Sequence, residues 1–228
     1  MSKIRKNRKK AILVFLLLLI AVLFVLWAVQ FSKTNSRKYE QKVELYKTGE
    51  TVELGDNFFI EARENINGYS VKVNSAKLVN YQEYYESSGQ PFHSEQFSKA
   101  YPAPKYTGLL NVTLKNIGNT NGGVMVRQFA LYNGALQIPP DFELWGMFDE
   151  RFEGYPSLTL VENSEVELTI PFTPMTLNTG TNSAKLEKLM EKGEFYLCVC
   201  EFPVRKMIKV SLTDTPEESK RMGEAESD

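Results

Sequence analysis

From Ala11 to Val29, nineteen consecutive positions carry Ala, Ile, Leu, Val, Phe or Trp, without one charged or amide side chain. As a helix rising about 1.5 Å per residue this run spans roughly 28 Å, close to the hydrocarbon thickness of a bilayer and longer than a secretory signal core of about 7–15 residues. It lacks Gly, Ser and Asn, so it offers neither a small-residue packing stripe nor polar groups to bond a second helix. The pattern is that of a tether.

Beyond it the apolar period shifts to two. Thr51-Val52-Glu53-Leu54 reads as a short strand ending in the Gly55-Asp56-Asn57 turn. Tyr69 to Val73 alternates cleanly, and Ala76 to Tyr81 extends it either as one long strand or as a bulged pair, because both parities are apolar after Asn74. Leu110, Val112 and Leu114 alternate with polar residues up to Asn116. The segment Asn116 to Gly123 is rich in residues that tolerate positive φ, and Val124 to Tyr132 resumes as strand, which predicts a hairpin with a generous loop. Val166, Leu168, Ile170 and Phe172 mark a further strand with one wet face. Thr181 to Lys192 predicts a helix capped by Asn182 or Ser183 and stopped by Gly193, with Leu186, Leu189 and Met190 on one face. Glu194 to Phe202 and Val204 to Leu212 close the pattern as two strands.

These elements divide the chain into a basic cytoplasmic segment (1–10), a transmembrane signal anchor (11–29), a polar stalk (30–48), an extracytoplasmic β domain (49–213) and a disordered acidic tail (214–228). About seven short strands and one short helix, after a single N-terminal transmembrane helix, make the fold class mainly β, a sandwich rather than an α/β fold. Six Lys and Arg residues precede the apolar run with no acid among them, which orients a single-pass protein in the cell membrane with its N-terminus cytoplasmic. A cleaved signal peptide is the competing reading. Core length, the Gln at the end of Ala28-Val29-Gln30 and the absence of a Cys for lipidation count against it.

Charge narrows the partners. Those six bases are taken from 27 Lys and Arg in total against 28 Asp and Glu, so the part beyond the membrane is about seven charges negative and attracts neither nucleic acid nor anionic headgroups. The chain has one His, His93, and two Cys, Cys198 and Cys200. Two positions apart on a strand, the thiols lie too far apart to bond each other and read as small buried hydrophobes. With so few soft ligands no metal site is expected, and no cofactor loop is present; Gly122-Gly123 lacks the Lys and Ser or Thr of a phosphate loop. His93 between Phe92 and Ser94 reads as a solvated loop histidine, with no nucleophile elbow to serve it. Asn111-Val112-Thr113 matches a glycosylation acceptor, but within a strand.

A family resemblance rests on three stretches. Leu109 to Asn119 resembles the strand-and-turn signature of telokin-like, immunoglobulin-like extracellular domains of Gram-positive surface proteins and lipoproteins; Leu160 to Phe172 is similar to a later strand of those domains and Phe202 to Val210 to the closing one. The resemblance covers 69–212 and implies an immunoglobulin-like β-sandwich outside the cell, with no catalytic residues to transfer. Two aromatic insertions, 81–106 and 139–155, depart from it. The first holds Tyr84, Tyr85 and Phe92; in the second Phe142, Trp145, Phe148 and Phe152 recur at helical spacing behind Asp141 as a cap. Either these rings contact a partner, since aromatics bury large area at small entropic cost, or they fold back over an open end of the core. The leading expectation is a non-catalytic, membrane-tethered module that binds a protein or envelope component through these residues. The alternatives are an envelope hydrolase using Asp141, Glu143, Asp149, Glu150 or Glu153, and a ligand-sensing accessory subunit of a membrane complex.

Overall fold

The computed structural model describes residues 2–35, 41–60, 64–134, 136–152, 157–175 and 182–212. It falls into two compact units, divided after Glu40. The first holds one helix, α1 (Ser2–Asn35), within which the stretch Val14–Thr34 is long and apolar enough to cross a membrane. The side chains it exposes from Val14 onward are almost all aliphatic or aromatic.

The second unit is mainly β, with several short helices. Among the described residues its strands are β1 (Lys42–Lys47), β2 (Thr51–Glu53), β3 (Tyr69–Asn80), β4 (Tyr106–Asn116), β5 (Ala130–Asn133), β6 (Leu136–Ile138), β7 (Glu165–Phe172), β8 (Glu194–Cys200) and β9 (Val204–Ser211), and its α-helices are α2 (Tyr81–Glu86), α3 (Phe142–Phe148) and α4 (Ser183–Lys192). A four-stranded sheet has the order β2-β3-β4-β7 and a five-stranded sheet the order β1-β9-β8-β5-β6. All pairings are antiparallel except β1 with β9, which runs parallel from Lys42 opposite Val204 to Lys47 opposite Lys209.

One apolar cluster joins both sheets. Val71, Val73, Val112, Leu114 and Ile170 come from the first, Leu131, Phe195, Leu197, Ile208 and Val210 from the second, all essentially without solvent contact. Full burial of each such side chain is worth about 1.5–3 kcal/mol, so the alternating stripes read from the sequence carry the fold.

Three expectations need correction. The end of the stretch read as stalk is β1, held by Tyr46 packing on the core and by its ladder to β9, while α1 extends through Asn35; the tail from Asp214 lies outside the described residues. The hairpin between Leu110 and Tyr132 does not form. β4 pairs with β3 and β7, Val124 makes an isolated bridge to Leu158, Val126–Gln128 is a 3-10 turn, and β5 joins the other sheet. Val124, Val126, Phe129 and Leu131 are all buried, so their apolar pattern marks a chain crossing the core between sheets. More than one helix accompanies the strands, α2 and α3 lying in the two insertions.

Other readings hold in detail. β3 is one strand with an irregularity at Asn74, between Val73 and Ser75. Asn182 caps α4 by accepting from Lys185 N at 2.9 Å, and Gly193 ends it at φ 68°, a left-handed conformation that Gly adopts without a Cβ penalty.

Candidate functional site

The two insertions, some fifty residues apart in sequence, meet in space. Asn80 closes β3 and caps α2, its Oδ1 accepting from Glu83 N at 3.1 Å. This turns the chain so that Tyr81 drops into the protein, 5 % exposed, while Tyr84 and Tyr85 stay half-buried. Tyr81 meets Phe92 and Phe97 edge-on at 6.2 and 6.4 Å, Tyr85 meets Phe92 edge-on at 5.6 Å, and Phe92 stacks on Phe97 at 5.6 Å. Such pairs add about 0.5–1.5 kcal/mol beyond the area they bury, which gives a loop segment of little regular structure its own small core.

In the second insertion Asp141 does the capping. Its Oδ1 accepts from Leu144 N at 3.0 Å, and its own N–H donates to Pro171 O at 2.8 Å, tying the start of α3 to β7. Leu144 and Trp145 then face inward, and Trp145 stacks on Phe152 at 3.9 Å with both rings buried. One turn beyond Trp145, Phe148 faces out, 41 % exposed, and stacks on Tyr84 of the first insertion at 4.4 Å and 19° between ring planes. Met147 and Ser88 also touch across this seam, at 4.0 Å.

The candidate contact residues therefore separate. Trp145 and Phe152 belong to the core, and Phe142 packs half-buried against it; a residue exposed by 2 % or less offers a partner nothing, so as contacts the first two are corrected. Helical spacing placed Phe142, Trp145, Phe148 and Phe152 on one face; the structure covers Trp145 and Phe152 and leaves Phe148, at the end of α3, exposed. The half-buried Tyr84, Tyr85 and Phe92 form an aromatic lobe with the exposed Phe148. Met147 belongs with them, and no helical or strand period singled it out, because it touches Ser88 only through the tertiary seam.

Burial raises the pKa of the Asp141 carboxyl, against the opposing hydrogen bonds of Thr173 and Leu144 N, and Glu143 adds a like-charge push. Its Oδ2 is enclosed and makes no hydrogen bond of ordinary geometry, because the nearby Thr173 hydroxyl is engaged with that of Thr107 at 2.9 Å. Burial likewise raises the hydroxyls of Tyr81 and Tyr84, the former also pushed by Asp141 and Glu143. Asp149 is held below the usual carboxylate range by Arg151, whose guanidinium grips both its oxygens at 2.5–3.1 Å. Of the acids considered for hydrolysis, Asp141 is thus a cap, Asp149 half of an ion pair, Glu143 and Glu150 exposed, and Glu153 lies outside the described residues.

His93 stands exposed with Nδ1 3.1 Å from Glu95. Cys198 and Cys200 are buried free thiols with no disulfide between them. Burial is the chief cause that pushes both thiols up, Cys200 to about 11, so neither is a ready nucleophile or ligand. Among the described residues no group of His, Cys, Asp and Glu is placed to hold a metal ion. Two cavities of about 190 and 240 Å³ open elsewhere, the first beside Phe59, Gln128, Tyr132 and Glu201, the second beside Glu53, Asn67 and Tyr69; neither is lined by the rings of the lobe.

No curated protein and no solved structure matches the chain. One family model does, over residues 43–206, from within β1 to within β9, and so over both sheets and both aromatic insertions. On that match the chain belongs to the family described as a domain of unknown function, DUF5028.

Proposed function

We propose that this chain is a membrane-tethered, non-catalytic binding module of a Gram-positive cell envelope, an immunoglobulin-like β-sandwich held outside the cell by α1 and contacting its partner through the aromatic lobe. The tether reading draws on Val14–Thr34 and on the basic residues before it. The sandwich reading draws on two sheets that share one apolar core. One observation carries the functional reading: two insertions distant in sequence converge to stack Tyr84 on Phe148 while Phe148 keeps 41 % of its surface in solvent. A ring that served only to cover the core would be expected to lie inward, as Trp145 and Phe152 do.

Affinity capture from envelope extracts tests it. The full chain in detergent should retain a protein or envelope component that Phe148→Ala releases, with the melting temperature of the variant within about 4 °C of the parent's. Capture that is indifferent to Phe148→Ala removes the lobe as the contact surface, and protease protection of the second unit in intact cells removes the proposed topology.

A further inference from the structure

We infer that the Tyr84–Phe148 platform receives a basic polypeptide segment of a partner protein, one that presents Lys or Arg beside apolar side chains; this rests on the reading of the lobe as a contact surface.

The first support is rigidity. On α2 the half-buried Tyr84 lies three residues from the buried anchor Tyr81, and on α3 the exposed Phe148 lies three residues from the buried Trp145. Each ring is one helical turn from a fixed point, and each helix is capped by a side chain, Asn80 or Asp141. A platform held in this way loses little freedom when a partner arrives, and that lowers the entropic cost of association.

The second is charge. The same two helices and the turn after α3 carry Glu83, Glu86, Glu143 and Glu150, all exposed. Among the described residues none of these carboxylates has an ion-pair partner; Glu86 accepts only from Gln82. The one base of these elements, Arg151, is spent on Asp149. An aromatic face in an acidic rim is complementary to ammonium or guanidinium groups, which are attracted by the ring quadrupole and, over a longer range that speeds encounter, by the carboxylates. The same rim repels polyphosphate-type envelope polymers and anionic lipid headgroups. Apolar side chains next to the cation would fill the contact with Met147, Tyr85 and Phe92.

Fluorescence anisotropy on the full chain in neutral detergent tests the inference, with three labelled probes: a short peptide alternating Lys or Arg with Leu, its charge-reversed Glu and Leu counterpart, and polyglycerol phosphate. The basic peptide should bind. Phe148→Ala should weaken it about tenfold, which corresponds to about 1.4 kcal/mol. The combined variant Glu83→Gln, Glu86→Gln, Glu143→Gln and Glu150→Gln should weaken it by a similar factor at low salt and flatten its salt dependence, with both variants melting within about 4 °C of the parent. Equal or tighter Phe148-dependent binding of either anionic probe overturns the inference and leaves the contact-surface reading standing. Basic-peptide binding that ignores Phe148→Ala overturns both. If the basic peptide does not bind, the inference falls alone and envelope capture decides the broader reading.

Discussion

Asn119 is the side chain on which the second unit should depend out of proportion to its size. It is 6 % exposed and makes four hydrogen bonds to backbone. Its Nδ2 donates to Asn65 O at 3.1 Å and Asn67 O at 2.6 Å, and its Oδ1 accepts from Asn121 N at 3.0 Å and Gly122 N at 2.6 Å. Its own N–H and C=O are held by the fully buried Asn116, through Oδ1 at 2.8 Å and Nδ2 at 2.7 Å. The pair thus brackets the turn after β4 against the loop before β3. Asn119→Ala leaves four backbone groups without partners. At a net contribution of about 0.5–1.5 kcal/mol per bond, and with water reaching the Asn121 side of the turn, the loss should be about 3 kcal/mol. For a unit of this size that lowers the melting temperature by roughly 6–12 °C. Asn119→Asp keeps the acceptor but turns a carboxylate toward two carbonyl oxygens, and should cost at least as much. Asn121→Ala, on the same turn but with an exposed side chain, should stay within about 0.5 kcal/mol. Thermal unfolding followed by near-ultraviolet circular dichroism, on the chain from Gln41 onward, reads all three. If Asn119→Ala melts within about 2 °C of the parent, or no lower than Asn121→Ala, the bracket does not hold the turn.

Other perturbations separate packing from recognition. Trp145→Ala should cost about 3–5 kcal/mol as a core truncation, against about 1 kcal/mol or less for the exposed Phe148→Ala; equal losses would mean that the burial of one ring and the exposure of the other are misassigned. Asp141 has a raised folded pKa, so its contribution to stability is full below the ordinary carboxylate range and lost as pH rises through the raised value. Asp141→Asn, which keeps the cap, should therefore exceed the parent in stability at neutral pH and lose that advantage on acidification, while Asp141→Ala loses about 1 kcal/mol of capping; melts from about pH 4 to about pH 8 that show no change in the Asn-to-parent difference would contradict it. Gly122→Ala would put a Cβ 1.8 Å from Asn65 O, a backbone atom that cannot swing aside, and should cost as much as overpacking a core, about 1–3 kcal/mol or more; a parent-like melt would place that loop elsewhere. Iodoacetamide should leave Cys198 and Cys200 unmodified in the folded protein and label both in denaturant; mass spectrometry showing native labelling refutes their burial.

Legibility in the sequence followed the range of the interactions. Leu110-Val112-Leu114 and Val166-Leu168-Ile170 announced β4 and β7 because alternation is written into neighbouring residues, and Asn182 and Gly193 bounded α4 because caps act within one turn. The partner of a strand is not local. Val124 to Tyr132 carries the same apolar content whether it folds back on β4 or crosses the core, and the crossing is selected by Phe129 and Leu131 packing among side chains of both sheets. Asn116 and Asn119 were legible as turn residues, yet of the turn 117–122 only Gly118 has positive φ; the asparagines are there for their amides. In the lobe, helical spacing found the rings of α3 but could not tell which of them would be covered, since Trp145 and Phe148 differ only in what α2 and β7 bring to them. β1 escaped because Lys42-Val43-Glu44-Leu45 shows its apolar side chains to solvent at the sheet edge, Leu45 by 62 %, and only its ladder to β9 identifies it.

That ladder bears on how the protein withstands load. Among the described residues β1 is the first strand after α1 and β9 is the last strand. Because the two run parallel over six matched pairs, tension applied between the two ends of the chain pulls them in opposite directions along their length, so the hydrogen bonds are sheared together instead of being peeled one at a time. Drawn out in an optical trap, the second unit should yield in one abrupt high-force rupture, and moving one attachment point to the opposite end of β9 should turn that rupture into a soft, gradual opening.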